Sequence, residues 1–298
     1  MAAAERSMSS PYDGSVTRRE GGSKPAANPT VSVIVVSFNV ANLLRRCLRS
    51  LEDADEIIVV DNNSADDSRE LVLHEFPHVR VISNPINVGF SAAVNAGMRA
   101  ASGGLVLLLN PDAELPPGSL HRMAEAMLQQ PDAGALGFRQ VNDRGAFQLS
   151  VGPRPSFPLE LGRMVIQRQL DRGNSSVATM VDRALGRARR RVSWVSASAL
   201  MVRPSAFDAV GGFDESFFLY FEDADFCLRL GRNGYPVYYV PEVTVIHRRG
   251  QSAAGSRALA RSAYRASQRL YWRKHRGAWA ERLIASYQRL RGADAGGA

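Results

Sequence analysis

The 298-residue chain is 45% hydrophobic and 22% charged, enough to bury a substantial core in one or two domains. No run approaches the roughly 20 apolar residues of a bilayer span, and no apolar export core opens the chain, so the sequence places the protein in the cytoplasm. A net charge of +8 and a pI near 10.0 ask for an anionic partner, yet no nucleic-acid-binding motif accompanies the charge and nucleic acid is not expected.

In chain order, residues 1–29 are rich in Ala, Ser, Gly and charge, and read as a disordered tail. Val31–Val36 is a mostly β-branched strand, followed by Ser37-Phe38-Asn39 and a helical pattern over Ala41–Leu51. Ile57–Val60 is a second buried strand, closed by Asp61-Asn62-Asn63-Ser64. Asp66–Phe76 reads helical, Val79–Ile82 as a third strand and Gly89–Ala101 as a helix. Leu105–Leu109 is a fourth strand ending in Asn110-Pro111-Asp112. Continuously apolar strands alternating with helices predict a parallel sheet covered on both faces. Polar residues gather just past the strand ends, where open α/β sheets bind ligands. No Gly-x-Gly-x-x-Gly or Walker sequence follows the first strand, so neither a dinucleotide dehydrogenase nor a P-loop enzyme is indicated.

Residues 153–191 are less regular, with Pro153, Pro155 and Pro158 ahead of apolar residues interleaved with arginine; they read as helices. Tyr235–Val240 and Val243–Ile246 read as strands, and Ser256 to about Arg291 as helical. There Arg257, Arg261, Arg265, Arg269 and Arg273 recur every four residues, beside a face of Leu259, Ala263, Ala266 and Leu270. Such a stripe suits anionic lipid headgroups or a diphosphate-bearing substrate; the alternative is a solvated helix face. Arg187, Arg189, Arg190 and Arg191 form a second basic cluster. Cys47 and Cys227 lack metal-ligand spacing and read as reduced, buried thiols.

The densest chemistry lies in Phe221–Leu230. Glu222, Asp223 and Asp225 crowd three carboxylates into four positions, behind the apolar run Phe217–Phe221. Buried charge is costly unless it is paired, metal-bound or used in a reaction. A helix start also favours acids in its first turn, with Asp225 and Arg229 as an i,i+4 pair.

Val33–Asn39, Ile58–Ser64, Asn87-Val88-Gly89-Phe90, Asn110-Pro111-Asp112, Gly212-Phe213-Asp214-Glu215 and Phe218–Arg229 occur in that order. The series resembles the inverting family 2 glycosyltransferases of GT-A fold, in particular the bacterial rhamnosyltransferase and galactofuranosyltransferase branch, over residues 31–250. The resemblance implies an α/β fold: a GT-A type, Rossmann-like, mixed but mostly parallel sheet flanked by helices. It also implies a glycosyltransferase domain over residues 30–255 and a basic C-terminal helical extension over 256–298.

That resemblance implies a nucleotide-sugar donor, and a divalent metal, Mg²⁺ or Mn²⁺, held by Asp112 and His247 against the departing diphosphate. Asn110 stands where many relatives have the first aspartate of the DxD motif; it removes one charge but keeps a hydrogen-bonding group. Ser37, Asn39, Asp61, Asn63, Gly89 and Asn110 fall at donor positions, with Arg248, Arg249, Gln251 and Ser252 near the diphosphate. Asp223 matches the catalytic base that deprotonates the acceptor hydroxyl, with Glu222 contacting or assisting the acceptor. Trp194 matches the acceptor side, or is a buried core tryptophan. The expected reaction moves rhamnose from deoxythymidine-diphosphate-rhamnose to a glycan or polyprenyl-diphosphate-linked acceptor, on the cytoplasmic face of an anionic membrane. The alternatives are UDP-galactofuranose as donor, a nucleotidyltransferase, and a non-catalytic glycan- or lipid-diphosphate-binding module.

Overall fold

The computed structural model describes residues 29–248 and 257–293. The expected tail, apart from Pro29, lies outside the described residues, as do Arg249, Gln251 and Ser252. The first half follows the sequence pattern to within two residues at element ends: β1 (Val31–Ser37), α1 (Ala41–Arg49), β2 (Glu56–Asp61), α2 (Ser68–Glu75), β3 (Arg80–Ser83), α3 (Phe90–Ala100) and β4 (Leu105–Leu109). Next come β5 (Ala113–Glu114), α4 (Ser119–Leu128), β6 (Ala135–Val141), β7 (Phe147–Gln148), β8 (Val151–Gly152), α5 (Phe157–Asp171) and α6 (Ser175–Leu185). The rest comprises β9 (Arg190–Val192), β10 (Trp194–Val195), β11 (Ala199–Val202), α7 (Pro204–Ala209), α8 (Glu222–Arg232), β12 (Val237–His247), α9 (Arg257–Arg276) and α10 (Ala278–Ala293).

The main sheet runs β3-β2-β1-β4-β11-β6-β12-β5. β1 pairs in parallel with β2 and β4, β2 with β3, and β6 with β12. β11 is antiparallel to both neighbours, and β5 to β12. This is the mixed, mostly parallel α/β sheet that the strand patterns imply. One face buries Leu44, Leu48, Val72, Met123 and Met127 of the helices against Val33, Val35, Leu107 and Leu136. The other buries Ala93, Val94, Val181, Phe207 and Phe226 against Ile34, Ile58, Val60 and Leu108. Each fully buried large side chain contributes about 1.5–3 kcal/mol, so the sheet is a rigid platform for the groups at its edge.

Two elements differ from the sequence pattern. The strands expected over Tyr235–Val240 and Val243–Ile246 are one strand, β12, whose register shifts between Val240 and Thr244. Pro241 has no N–H for the ladder, so pairing slips there without ending. The single C-terminal helix is a helical pair broken at Gly277, whose φ of +90° ends α9. Phe217, Phe221, Ala224, Tyr271, Trp272, Ala280 and Ile284 form a third buried cluster that joins this pair to the segment entering α8.

Candidate active site

A cavity of about 650 Å³ opens where β1 and β4 lie side by side, the point at which strand order reverses. Its polar lining includes Asn62, Asn110, Asp112, Gln140, Glu222, Asp223 and His247, drawn from five separate stretches of chain. Asp112 and His247 meet through sheet pairing: His247 at the end of β12 stands opposite Ala113 of β5, and the Arg248 N–H donates to the Asp112 carbonyl at 2.8 Å.

Both side chains are buried. His247 Nδ1 lies 2.9 Å from Gln140 Oε1, which can only accept, and Nε2 lies 3.2 Å from Asp112 Oδ1. Two electron-rich atoms that close repel unless a proton or a cation joins them. Adjacent ligands on an octahedral ion with bonds of about 2.1 Å lie about 3 Å apart, so the pair fits a divalent cation. Among the described residues no cluster of three or more His, Cys, Asp or Glu could hold a metal.

Glu222 and Asp223 open α8. The two residues ahead of them, Tyr220 and Phe221, both have left-handed backbones, with φ of +70° and +65°. Each non-glycine residue held there costs about 1–3 kcal/mol and persists only where its surroundings enforce it, as functional sites do. The turn puts both acids at the cavity, in the first turn of α8, where acidic side chains favour the helix start. Glu222 is 5% exposed with Oε2 unpaired among the described residues. Burial first, and the Asp223 charge second, push its pKa well above the ordinary glutamate value. Burial also raises Asp223, opposed by the Trp194 indole, the N–H groups of Ala224 and Ala197, and the Arg163 charge. Both acids therefore hold their protons to higher pH than isolated carboxyls do.

Asp225 does something else. It is 0% exposed, and Oδ1 meets Lys274 Nζ and His275 Nε2, each at 2.8 Å, while Oδ2 accepts from Arg229 Nε at 2.7 Å. The expected helix pair is present, and it extends into a cluster that fastens α9 beside the Tyr220–Phe221 turn. Burial alone would raise the Asp225 pKa; His275, Lys274 and Arg229 outweigh it and bring it down to about 2.

The expected donor residues divide. Asn110 and Gly89 line the cavity, whereas Ser37, Asn39, Asp61 and Asn63 do not. Ser37 and Asp61 are register partners at the ends of β1 and β2, and Ser37 Oγ and Asp61 Oδ1 are buried without hydrogen-bond partners among the described residues. Asn39 locks a turn, its Oδ1 accepting from the Ala65 N–H at 2.6 Å, and Asn63 is exposed with a φ of +64°. Gly89 serves a close protein contact: a Cβ there would sit 2.5 Å from the Phe218 carbonyl oxygen. Asn110 also closes the strand-ending turn, its carbonyl accepting from the Ala113 N–H. Trp194 both borders the core and lines the cavity. Arg248, expected near a diphosphate, is held instead by Glu114 and Asp143. In the basic clusters, Arg187 pairs with Asp182 and Arg189 with Glu242, while Arg261, Arg265, Arg269 and Arg273 are exposed.

A model of the family described as Glycosyl transferase family 2 matches residues 32–187. N-acetylglucosaminyl-diphospho-decaprenol L-rhamnosyltransferase of Mycobacterium tuberculosis is 32% identical, over 83% of this chain and 85% of its own length. The chain belongs to glycosyl transferase family 2. Rhamnosyltransferase WbbL of Escherichia coli is 28% identical over 73% of the chain and 83% of its own. The Pyrobaculum calidifontis mannosyltransferase PcManGT, solved with GDP-Man and Mn²⁺, has a TM-score of 0.52 at 18% identity. It covers 92% of this chain and 77% of its own, a likeness that shows the common GT-A fold.

The family match stops before α8 and β12; in this family 2 glycosyltransferase the Tyr220–Phe221 turn places Asp223 and sheet pairing places His247. Three lining residues, Gln140, Asn62 and Arg163, escaped the sequence reading. Gln140 and Ser198 form a buried relay, with Gln140 Nε2 donating to Ser198 Oγ at 2.8 Å; a glutamine inside the apolar stretch Ala135–Val141 was the available signal. Asn62 sat inside the Asp61–Ser64 motif, where its neighbours drew the attention; its Nδ2 donates to the Gly89 carbonyl at 3.0 Å. Arg163, on α5, carried no pattern of its own.

Proposed function

We propose that this protein transfers rhamnose, with inversion, from a deoxythymidine-diphosphate donor to a sugar carried on a polyprenyl diphosphate. The observation that carries the reading is the meeting of a carboxylate–histidine pair, Asp112 and His247, with a carboxylate pair, Glu222 and Asp223, in one cavity. The names of the two rhamnosyltransferase relatives support the sugar, and the first of them supports the acceptor.

Asp112 and His247 would hold a divalent cation, which when bound neutralises charge on the leaving nucleoside diphosphate. Gln140 fixes the His247 ring so that Nε2 faces the site. Asp223 accepts the proton of the attacking acceptor hydroxyl, and its raised pKa makes it a stronger base than an ordinary aspartate. Glu222, raised further, keeps a proton and donates a hydrogen bond to the acceptor. The Tyr220–Phe221 turn holds both acids in place, and Trp194 closes one side against water. The exposed arginines of α9, together with Trp279, 66% exposed on α10, meet an anionic membrane surface.

The test is nucleoside diphosphate release by purified protein with dTDP-rhamnose, UDP-galactofuranose or GDP-mannose, and a prenyl-diphosphate-linked acceptor. Release and transfer with dTDP-rhamnose are expected. Asp223→Asn should lower turnover by about 10²–10⁴ with dTDP affinity essentially kept. Near-normal turnover in that variant would remove Asp223 from the base role, and no transfer from any donor would leave the binding-module alternative standing.

A further inference from the structure

The cavity has two characters. Its inner end carries the amides, carboxylates and His247, whereas its outer wall, between α5 and α9, is Leu159 and Ile166 facing Leu259 and Tyr264. Leu159 and Leu259 are 49% and 44% exposed on this rim. A sugar and a nucleotide offer these side chains little, since both need hydrogen-bonding partners, and half-exposed apolar side chains beside a polar site mark a surface that an apolar ligand covers.

Arg163 stands between the two ends. Leu159, Arg163 and Ile166 are spaced four and three residues apart, so they share one face of α5. Arg163 Nη2 donates to the Tyr264 hydroxyl at 3.2 Å, joining α5 to α9, and its charge reaches the Asp223 carboxyl and favours the ionised form. From the rim inward the order is therefore apolar wall, guanidinium, carboxylate. An acceptor whose sugar is linked through diphosphate to a prenyl chain has the matching order from its far end: chain, phosphates, sugar hydroxyl.

We propose that the gap between α5 and α9 is the subsite for the prenyl diphosphate of the acceptor. Arg163 takes the phosphates, and Leu159, Ile166 and Leu259 cover the first isoprenoid units. This rests on the transferase reading above and adds where the lipid end enters. The subsite makes Arg163 a substrate-binding residue and orients the chain to leave over the α5–α9 rim, so that the sugar lands at Glu222 and Asp223. It also separates the acceptor diphosphate from the donor diphosphate, which belongs at Asp112 and His247.

The experiment is calorimetric titration of the full chain with farnesyl diphosphate and with inorganic diphosphate, each with dTDP and Mg²⁺ held saturating. Farnesyl diphosphate should bind about tenfold or more tightly than diphosphate, as burial of a few methylene groups implies. Arg163→Gln should weaken farnesyl diphosphate by about tenfold. The double variant Leu159→Ser, Leu259→Ser should make the two ligands bind alike, with dTDP affinity unchanged as the check on folding. Failure of farnesyl diphosphate to bind, its displacement by dTDP, or affinities indifferent to both variants would overturn the subsite. Transfer is scored separately: dTDP binding and sugar transfer with no prenyl preference sink the subsite and the prenyl-linked acceptor with it, and leave the sugar transfer standing. Prenyl diphosphate binding without transfer from any donor sinks the transferase reading alone.

Discussion

Asp225→Asn isolates the cluster that fastens α9 to the turn entering α8. The carboxylate is fully buried and is shared by Arg229, Lys274 and His275, with Asp214 also 2.6 Å from Lys274. Its pKa falls from an ordinary 3.8 to about 2 in the fold, roughly two units at about 1.4 kcal/mol each, or about 2.5 kcal/mol. Because the folded value is depressed, this stability is fully present above the ordinary value and is lost as pH falls through about 2. An amide also leaves buried cations short of a partner, so the loss at pH 7 should reach about 3 kcal/mol. Urea unfolding should show the midpoint dropping by about 1 M with an unchanged slope. By about pH 3 roughly half of the pKa-linked part of the difference should be gone. A loss under about 0.5 kcal/mol at pH 7, or a gap that does not narrow in acid, would refute the account.

His247→Ala and Asp112→Asn should each move the Mn²⁺ midpoint for dTDP binding upward by at least about tenfold; an unchanged titration would break the assignment of the pair. Gly89→Ala should destabilise by about 2 kcal/mol or more in thermal or urea unfolding, because φ +85° with ψ 175° is essentially a glycine conformation and the added carbon meets the Phe218 carbonyl. Wild-type stability would show that the Phe218 segment yields. Arg261→Glu with Arg265→Glu should weaken sedimentation with anionic vesicles by at least about tenfold, on about 1 kcal/mol per basic residue. Unaltered sedimentation would reduce the row to a hydrated helix face.

The parallel half of the sheet was legible because each of its strands is a continuous apolar run with a turn after it. Val31–Val36 and Leu105–Leu109 announce themselves by composition, and the residues just past them lie near the cavity for topological reasons. The region between Asp112 and Pro153 was not legible. Its strands are short or interrupted, as Phe147–Gln148 and Val151–Gly152 are, and β6 mixes Arg139 and Gln140 into its apolar pattern. The pairing of His247 with Asp112 could be expected from a resemblance, but only sheet register explains it, and register between strands this remote leaves no local mark. The arginine stripe was visible; its apolar neighbours were only partly the expected ones, Ala263 being buried and Leu270 partly buried as read. Ala263, Ser267, Tyr271 and Trp272 face inward, while Leu259 and Ala266 are exposed.

The joining of β12 to β5 has a consequence for synthesis. The histidine and the aspartate are encoded 135 positions apart, and the later one belongs to the final strand of the sheet. A ribosome therefore delivers both carboxylates of the turn before the imidazole that completes the opposite wall. The nascent chain should stay inert through most of its translation and gain activity in one late step, when the last strand threads in beside β6 and reaches the sheet edge.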